Sequence, residues 1–335
     1  MLSPSTLARL APPLFVFLWA TGFIAARLVI PYADPLTFLV LRYVLAAILL
    51  GLIALAARAP WPTAARGWRN GMIAGMLIHG GYLGAVFWSI KHGLPAGISA
   101  LIAGLQPLVT GMLVGPLIGE RVSARRWLGI AVGFLGTALV IAPKLGAAGG
   151  FSALPVTVCF LGTVSITLGT IWQKRTAAAV DLRTNAVAQF VGAALATLPV
   201  ALILENGRLE PAPELFIGLT WSVVALSIGA IGLLLVLIRS GAVARVAALF
   251  YLVPPVAALM AYFLFGETVS PVQILGMLVA FDRRFVDVAP VPRNVRRGRR
   301  DDGHPESPLC IRPHGSACLG VATIAACACL LGVTI

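Results

Sequence analysis

Acidic residues are scarce in this chain and none is placed deep in an apolar run. There are 12 in 335 residues, and the seven up to residue 281 (Asp34, Glu120, Asp181, Glu205, Glu210, Glu214 and Glu267) all lie in or beside short polar segments. Membrane-buried carboxylates are the usual relay of proton-coupled pumps, so the pattern gives no support to a carboxylate relay. Charge of either sign is only 11% of the chain, against about 25% in soluble domains. Cysteine is nearly missing before the C-terminal stretch: Cys159 stands alone, and Cys310, Cys318, Cys327 and Cys329 follow late. Without CxxC or CxxH spacing, neither a zinc site nor a disulfide framework is indicated. GxxxxGK[ST] and HExxH are also missing, which argues against a P-loop ATPase and a zinc hydrolase. No catalytic residue, metal or cofactor is expected.

Apolar sequence is what the chain has in quantity. It is 59% hydrophobic, with a mean hydropathy of +0.95. No soluble core absorbs that much, so the expected class is an all-α polytopic membrane protein with the lipid bilayer as its main partner. A net charge of +13 invites a nucleic-acid reading, but through Phe281 the basic residues sit in short loops between apolar runs. That distribution sets topology rather than building a phosphate-binding face, and no nucleic-acid partner is expected. Arg9 before an apolar run resembles a signal peptide; no convincing cleavage pattern follows, and the run is read as a retained first helix.

The apolar sequence is written twice. Residues 22–134 and 169–281 align without gaps at a constant separation of 147 residues. Gly22 meets Gly169, Asp34 meets Asp181, Thr37 meets Thr184, Pro107 meets Pro254, and Gly119-Glu120 meets Gly266-Glu267. A membrane helix needs about 20 mostly apolar residues. Candidates are 11–31, 36–57, 70–90, 95–117, 126–142, 153–173, 184–204, 215–239 and 243–265, with a tenth from Pro271 to Phe281. With the N-terminus inside, twelve Lys and Arg fall in the inner set and four in the outer set (Arg27, Lys91, Lys144, Arg208). This asymmetry predicts a cytoplasmic N-terminus. Five helices per copy is an odd number, so the second copy is inverted relative to the first, an architecture suited to alternating access. Several GxxxG pairs, among them Gly71/Gly75 and Gly80/Gly84, predict close backbone packing.

Three stretches of the first copy, LFVFLWATGFIAARL, DPLTFLVLRYVLAAILL and GLPAGISALIAGLQPLVTGMLVGPLIGERVSARRWLGIAVGFLGTALVIA, carry a family resemblance. So do TIWQKR and VARVAALFYLVPPVAALMAYFLFGETVSPVQILGMLVA in the second. In order and duplication they resemble the drug/metabolite transporter superfamily, specifically its EamA-type ten-helix exporters of bacterial inner membranes. The resemblance implies a ten-helix bundle of two inverted five-helix halves around a central cavity. It also implies export of small metabolites such as amino acids.

The domains expected are a first EamA-like repeat over 11–142, a second and incomplete repeat over 153–281, and an aberrant tail over 282–335. After Phe281 the register with the first copy is lost and Arg, Pro and Cys become abundant. The eleven residues Pro271–Phe281 reach about 16 Å at helical rise, half of the ~30 Å hydrocarbon thickness. A change of reading frame near residue 281 explains this break; a naturally diverged tail is the other reading. Arg293, Arg296, Arg297, Arg299 and Arg300 bind anionic lipid or nucleic acid only if the tail is genuine.

Few polar or aromatic side chains are expected near mid-depth. Trp19 is too deep for an interfacial belt. His79 and Tyr82 are three apart on one candidate helix, as neighbours on a face would be. Ser99, Gln106 and Thr110 form a stripe whose second-copy counterparts, Val246, Val253 and Ala257, are apolar. Tyr251 completes the set. These seven residues are the candidate substrate path; helix–helix hydrogen bonding and packing are the alternatives for each. Arg42, some six residues inside the outer interface, is read as a topology and packing residue, with binding of an anionic substrate group as the alternative. Glu120 and Glu267 are read as parts of turns. The functional expectation is a secondary transporter of a small-molecule substrate in the inner membrane. A membrane-embedded enzyme, for which Ser99 and His79 would have to pair, and a non-transporting family member are the rivals.

Overall fold

The computed structural model describes residues 4–94, 96–119, 122–146, 152–177, 180–240, 243–265 and 270–281. The expectations about Glu120, Glu267 and the tail from residue 282 lie outside these. The described chain is helical, apart from one isolated bridge pair between Ala33 and Leu209. Its spans are α1 (Pro4–Val29), α2 (Pro35–Ala56), α3 (Ala65–Lys91), α4 in two pieces (Ala96–Ala103 and Gln106–Ile118) and α5 (Ala124–Gly146). The second set is α6 (Ala153–Thr176), α7 (Leu182–Leu204), α8 (Pro213–Ile238), α9 (Val243–Ala248, a 3₁₀ turn Leu249–Leu252, and Val253–Phe265) and α10 (Pro271–Phe281). Seven helices among the described residues are long and apolar enough to cross a membrane. Their outer faces carry bare hydrophobic side chains such as Leu55, Leu202, Ile203, Phe216 and Phe263. Helices apolar all round are at home in lipid rather than water.

The packing obeys the inversion that the odd helix number predicts. Helices α2 and α7 pack on each other, as do α5 and α10, each pair being its own counterpart. Other contacts come in exchanged pairs: α1 on α8 and α6 on α3, α1 on α9 and α6 on α4, α2 on α8 and α7 on α3. Gly75 permits the closest of these crossings, because a Cβ there would sit 1.8 Å from the Gln189 carbonyl oxygen. Of the predicted glycine pairs, Gly71/Gly75 is therefore a true helix-crossing motif.

Local irregularities also occur in pairs. Both α3 and α8 widen into a π-helical stretch, Met76–Gly81 and Ser222–Ala230, at equivalent places in the repeat. Side chains take up carbonyls in these turns: Tyr43 Oη donates to His79 O (2.9 Å), Ser165 Oγ to Leu77 O (2.9 Å) and Ser227 Oγ to Ser222 O (2.9 Å). Such bulges tend to mark functional positions.

Residues 95–117 and 243–265 are expected as continuous helices, and here the structure differs. Helix α4 breaks at Gly104-Leu105 and α9 tightens at Leu249–Leu252, just ahead of Pro107 and Pro254. Proline lacks the N–H and its ring crowds the carbonyl four residues back. Thr163 Oγ1 on α6 donates to the Ile102 carbonyl (3.3 Å) beside the break, which is how membrane helices tolerate interruption. The second half of α4 stops at Gly119, whose φ of 71° is a left-handed cap.

Candidate functional site

A cavity lies between α1, α2, α3 and α8, with about 480 Å³ of space when its open mouth is counted. Trp19 and Phe23 come from α1, Tyr82 and Phe87 from α3, Leu226 and Ile231 from α8. Both repeats thus contribute walls. Trp19 and Tyr82 stack with ring centroids 6.3 Å apart and 21° between planes, and Phe250 of α9 meets Trp19 edge-on at 5.1 Å. Aromatic rings in these offset and edge arrangements pack favourably beyond their burial.

Among the described residues Arg42 is the one charged residue in this apolar wall. Its side chain is held inside the bundle, with the residue only 3% exposed, and Nε donates to Ser227 Oγ at 3.0 Å. The Ser227 hydroxyl passes its own proton to Ser222 O within the π turn of α8, so α2 of the first repeat is tied to α8 of the second. Among the described residues no carboxylate pairs with the Arg42 guanidinium. A buried charge without a counter-ion is costly, and inside a membrane such a group marks a functional site by default. From sequence, topology and packing seemed the stronger roles for Arg42. The repeat held a further signal: its second-copy equivalent is the neutral Gln189.

The structure brings Trp19 and Tyr82 together in the cavity wall, and the other candidates are not among its lining residues. His79 and Tyr82 meet different rings, Tyr82 facing Trp19 and His79 lying within the π stretch of α3. His79 instead stacks on Phe190 of α7 at 4.8 Å and 13°, fully buried, with Gln189 beside it and neither ring nitrogen in a well-formed hydrogen bond. Ser99, Gln106 and Thr110 are buried in α4, and among the described residues Ser99 Oγ, Gln106 Nε2 and Thr110 Oγ1 have no hydrogen-bond partner. Ser99 and His79 therefore make no hydrogen-bonded serine–histidine pair. Tyr251 is buried in the 3₁₀ turn of α9, its ring seated over Gly133 of α5.

At the end of the bundle nearest the cavity, the two repeats are joined by polar groups. Asp34 forms an ion pair with Lys91 and accepts the Arg208 N–H at 3.0 Å. Burial raises the Asp34 carboxyl pKa, but Lys91 and the backbone N–H groups of Arg208 and Asn206 outweigh this and hold it below the ordinary 3.8. Glu205, from the loop after α7, caps α2 by accepting from Leu36 N (2.9 Å), Thr37 N (2.8 Å) and Thr37 Oγ1 (2.9 Å). Sequence reading missed this cap, because its partners are 168 and 169 residues apart. At the opposite end Asp181, the equivalent of Asp34, bonds within its own turn to Arg183 N (2.9 Å) and the Arg183 guanidinium (3.0 Å). Burial raises the Asp181 pKa, but the Arg183 contacts and the Thr184 N–H outweigh this and leave it lowered.

Comparison with known proteins agrees with this architecture. Residues 13–142 and 153–281 each match the EamA-like transporter family. The "Uncharacterized inner membrane transporter YedA" of Escherichia coli (strain K12) is 26% identical over 264 residues, covering 78% of this chain and 83% of the relative. The "Uncharacterized transporter YvbV" of Bacillus subtilis (strain 168) is 23% identical over 286 residues, 82% and 90% of the two chains. A "Probable amino-acid metabolite efflux pump" of Salmonella typhimurium (strain LT2) is 26% identical over 306 residues, 87% and 97%. A solved structure described as "Crystal structure of protein" superposes with a TM-score of 0.66 at 21% identity, covering 84% of this chain and 96% of that one; it speaks to the fold alone.

Proposed function

The chain belongs to the EamA-like transporter family, and from that premise we propose that it is a secondary transporter of the bacterial inner membrane that exports a small organic metabolite by alternating access. The observation that carries this reading is the cavity walled by both inverted repeats, with Arg42 of one hydrogen-bonded to Ser227 of the other. A substrate held there touches both halves, so their relative rocking changes its exposure. Trp19 and Tyr82 are proposed as substrate contacts in this state. His79, Ser99, Gln106 and Thr110 are proposed to line the path in another state. Their unpartnered polar atoms are costly in a dry interior, and opening of the adjacent helices to water or substrate relieves that cost. Tyr251, packed over Gly133, completes the path as a wall residue of α9.

The reading is tested by flux through the purified chain in proteoliposomes, with substrate-like compounds loaded on one side. Counterflow requires that labelled substrate enter only when unlabelled substrate occupies the other side; leak that ignores trans substrate would defeat alternating access. Topology is tested by cysteine accessibility. With the N-terminus in the cytoplasm, a cysteine at position 144 reacts from the periplasmic side and one at position 66 from the cytoplasm. Reaction of both from one side contradicts the orientation and the inverted repeat.

A further inference from the structure

We propose that the cavity selects organic anions, namely monocarboxylates with an apolar or aromatic body, with Arg42 as the specificity-determining residue. The proposal rests on the transporter reading and gives it a substrate class. Arg42 spends Nε on Ser227, which fixes the plane of the guanidinium. Nη1 and Nη2 form no hydrogen bond among the described residues, and the side chain stands in the cavity wall. Two parallel N–H donors on a fixed planar fork match the two oxygens of a carboxylate. Around them the wall is apolar: Trp19, Phe23, Tyr82 and Phe87 surround the space beside the guanidinium. In such surroundings an ion pair is stronger than in water. The bound anion would also supply the counter-charge that the bundle itself withholds.

The same wall argues against a cationic or zwitterionic cargo. Among the described residues no acidic residue lines it, so an ammonium group would enter beside a guanidinium without a carboxylate to receive it. Like charges so placed repel. An uncharged analogue of the anion would fit the rings but leave the fork unfilled. Discrimination should therefore follow charge before shape.

The test uses four probes that share an indole ring: indole-3-acetate, indole-3-acetamide, tryptophan and tryptamine. Binding to the full chain in nanodiscs is read by calorimetry and by ligand-induced thermal shift, and flux by proteoliposomes. Indole-3-acetate is expected to bind at least tenfold more tightly than the amide and tryptamine, with tryptophan weaker than the acetate. Arg42→Gln should lower acetate binding at least tenfold while leaving the amide within twofold. Arg42→Lys, with charge but no fork, should fall between. Because Arg42 lacks a counter-ion, Arg42→Gln should melt no lower than the parent chain, whereas a purely structural arginine would lower the midpoint.

Equal binding of acetate and amide, preference for tryptamine, no binding of the acetate, or acetate affinity unchanged in the Arg42 variants each overturns the proposal. If Arg42→Gln does not assemble, Arg42→Lys and the ranking of the four probes on the parent chain decide the matter. Acetate binding that depends on Arg42 without any flux removes the transport reading and leaves this one standing. Flux of the amide or the amine regardless of Arg42 does the reverse.

Discussion

Arg42 and Gln189 occupy the same position in two copies of one design, and the space around them is opposite in character. Beside Arg42 there is a cavity, walled by Trp19 and Tyr82. Beside Gln189 the inverted counterpart is filled: Gln189 Nε2 donates to Gln173 Oε1 at 3.1 Å, Phe190 stacks on His79, and Gly169 lies so close to α3 that a Cβ would sit 2.6 Å from Ile78 Cγ1. The residues equivalent to Trp19 and Tyr82 are Ile166 and Gly229. One scaffold thus holds an open wedge and a closed one, set by which side chains meet. In the proposed cycle the two exchange, with the fork of Arg42 on one side and neutral amides on the other. The ends differ as well: at the Asp34 end Arg208 and Glu205 bridge the repeats and Lys91 pairs with Asp34 within the first, whereas the Asp181 bonds are local.

The comparison breaks most completely if the contact shared by both halves is removed. Gly75→Ala places a methyl within the Gln189 backbone and must push α3 from α7, an overpacking of at least 1–3 kcal/mol. Loss of most monodisperse protein in size-exclusion chromatography is expected. Recovery at the parent level would mean that the α3–α7 crossing is looser than described.

A second contrast is apolar length. Helix α5 covers 23 described residues and its counterpart α10, packed on it, 11, up to the last described residue. Replacing residues 282–335 by an apolar continuation like 134–142 should raise membrane accumulation and flux severalfold, because the apolar run of eleven residues from Pro271 to Phe281 falls short of the ~20 that a membrane span needs. Equal yield and flux from both versions would show the tail to be a working part of the protein.

The polar stripe of α4, which α9 lacks, gives a subtler probe. Gln106→Leu should leave the protein in the membrane and reduce flux severalfold if the stripe lines the path. Unchanged flux with unchanged melting would assign Gln106 to packing.

Acid separates the two ends least strongly. A carboxylate whose folded pKa is depressed contributes stability that is complete above its unfolded pKa and is lost as pH falls through the folded value. For Asp34 that window begins near 3.8 and extends below it. The melting midpoint of the detergent-solubilised chain should therefore show no Asp34-dependent change between pH 8 and pH 5. Below about pH 4 it should fall, and Asp34→Asn should flatten that part of the fall. Glu205→Ala, which removes the α2 cap, should cost about 0.5–2 kcal/mol at neutral pH, read as a lower midpoint. An Asp34→Asn profile identical to that of the parent would show that the bridge contributes nothing to stability.

The sequence by itself determined the solvent, the duplication and the inversion. Each follows from patterns that survive without knowing a single contact: apolar runs of membrane length, a fixed separation of 147 residues, and an odd helix number per copy. The Gly71/Gly75 crossing was legible for the same reason, since small residues four apart define a flat face whatever packs on it. The site was legible only in part. Trp19 and Tyr82 were singled out because deep aromatics are rare there, whereas Ser99, Gln106 and Thr110 point into protein and His79 stacks on Phe190 within a π bulge that no spacing announces. That Arg42 stands in a cavity wall, and that Glu205 caps a helix from the other repeat, was decided by tertiary structure alone. Whether a charge is neutralised, or a helix end satisfied, depends on which distant groups are brought within about 3 Å of it, and along a membrane chain those groups come from the other half.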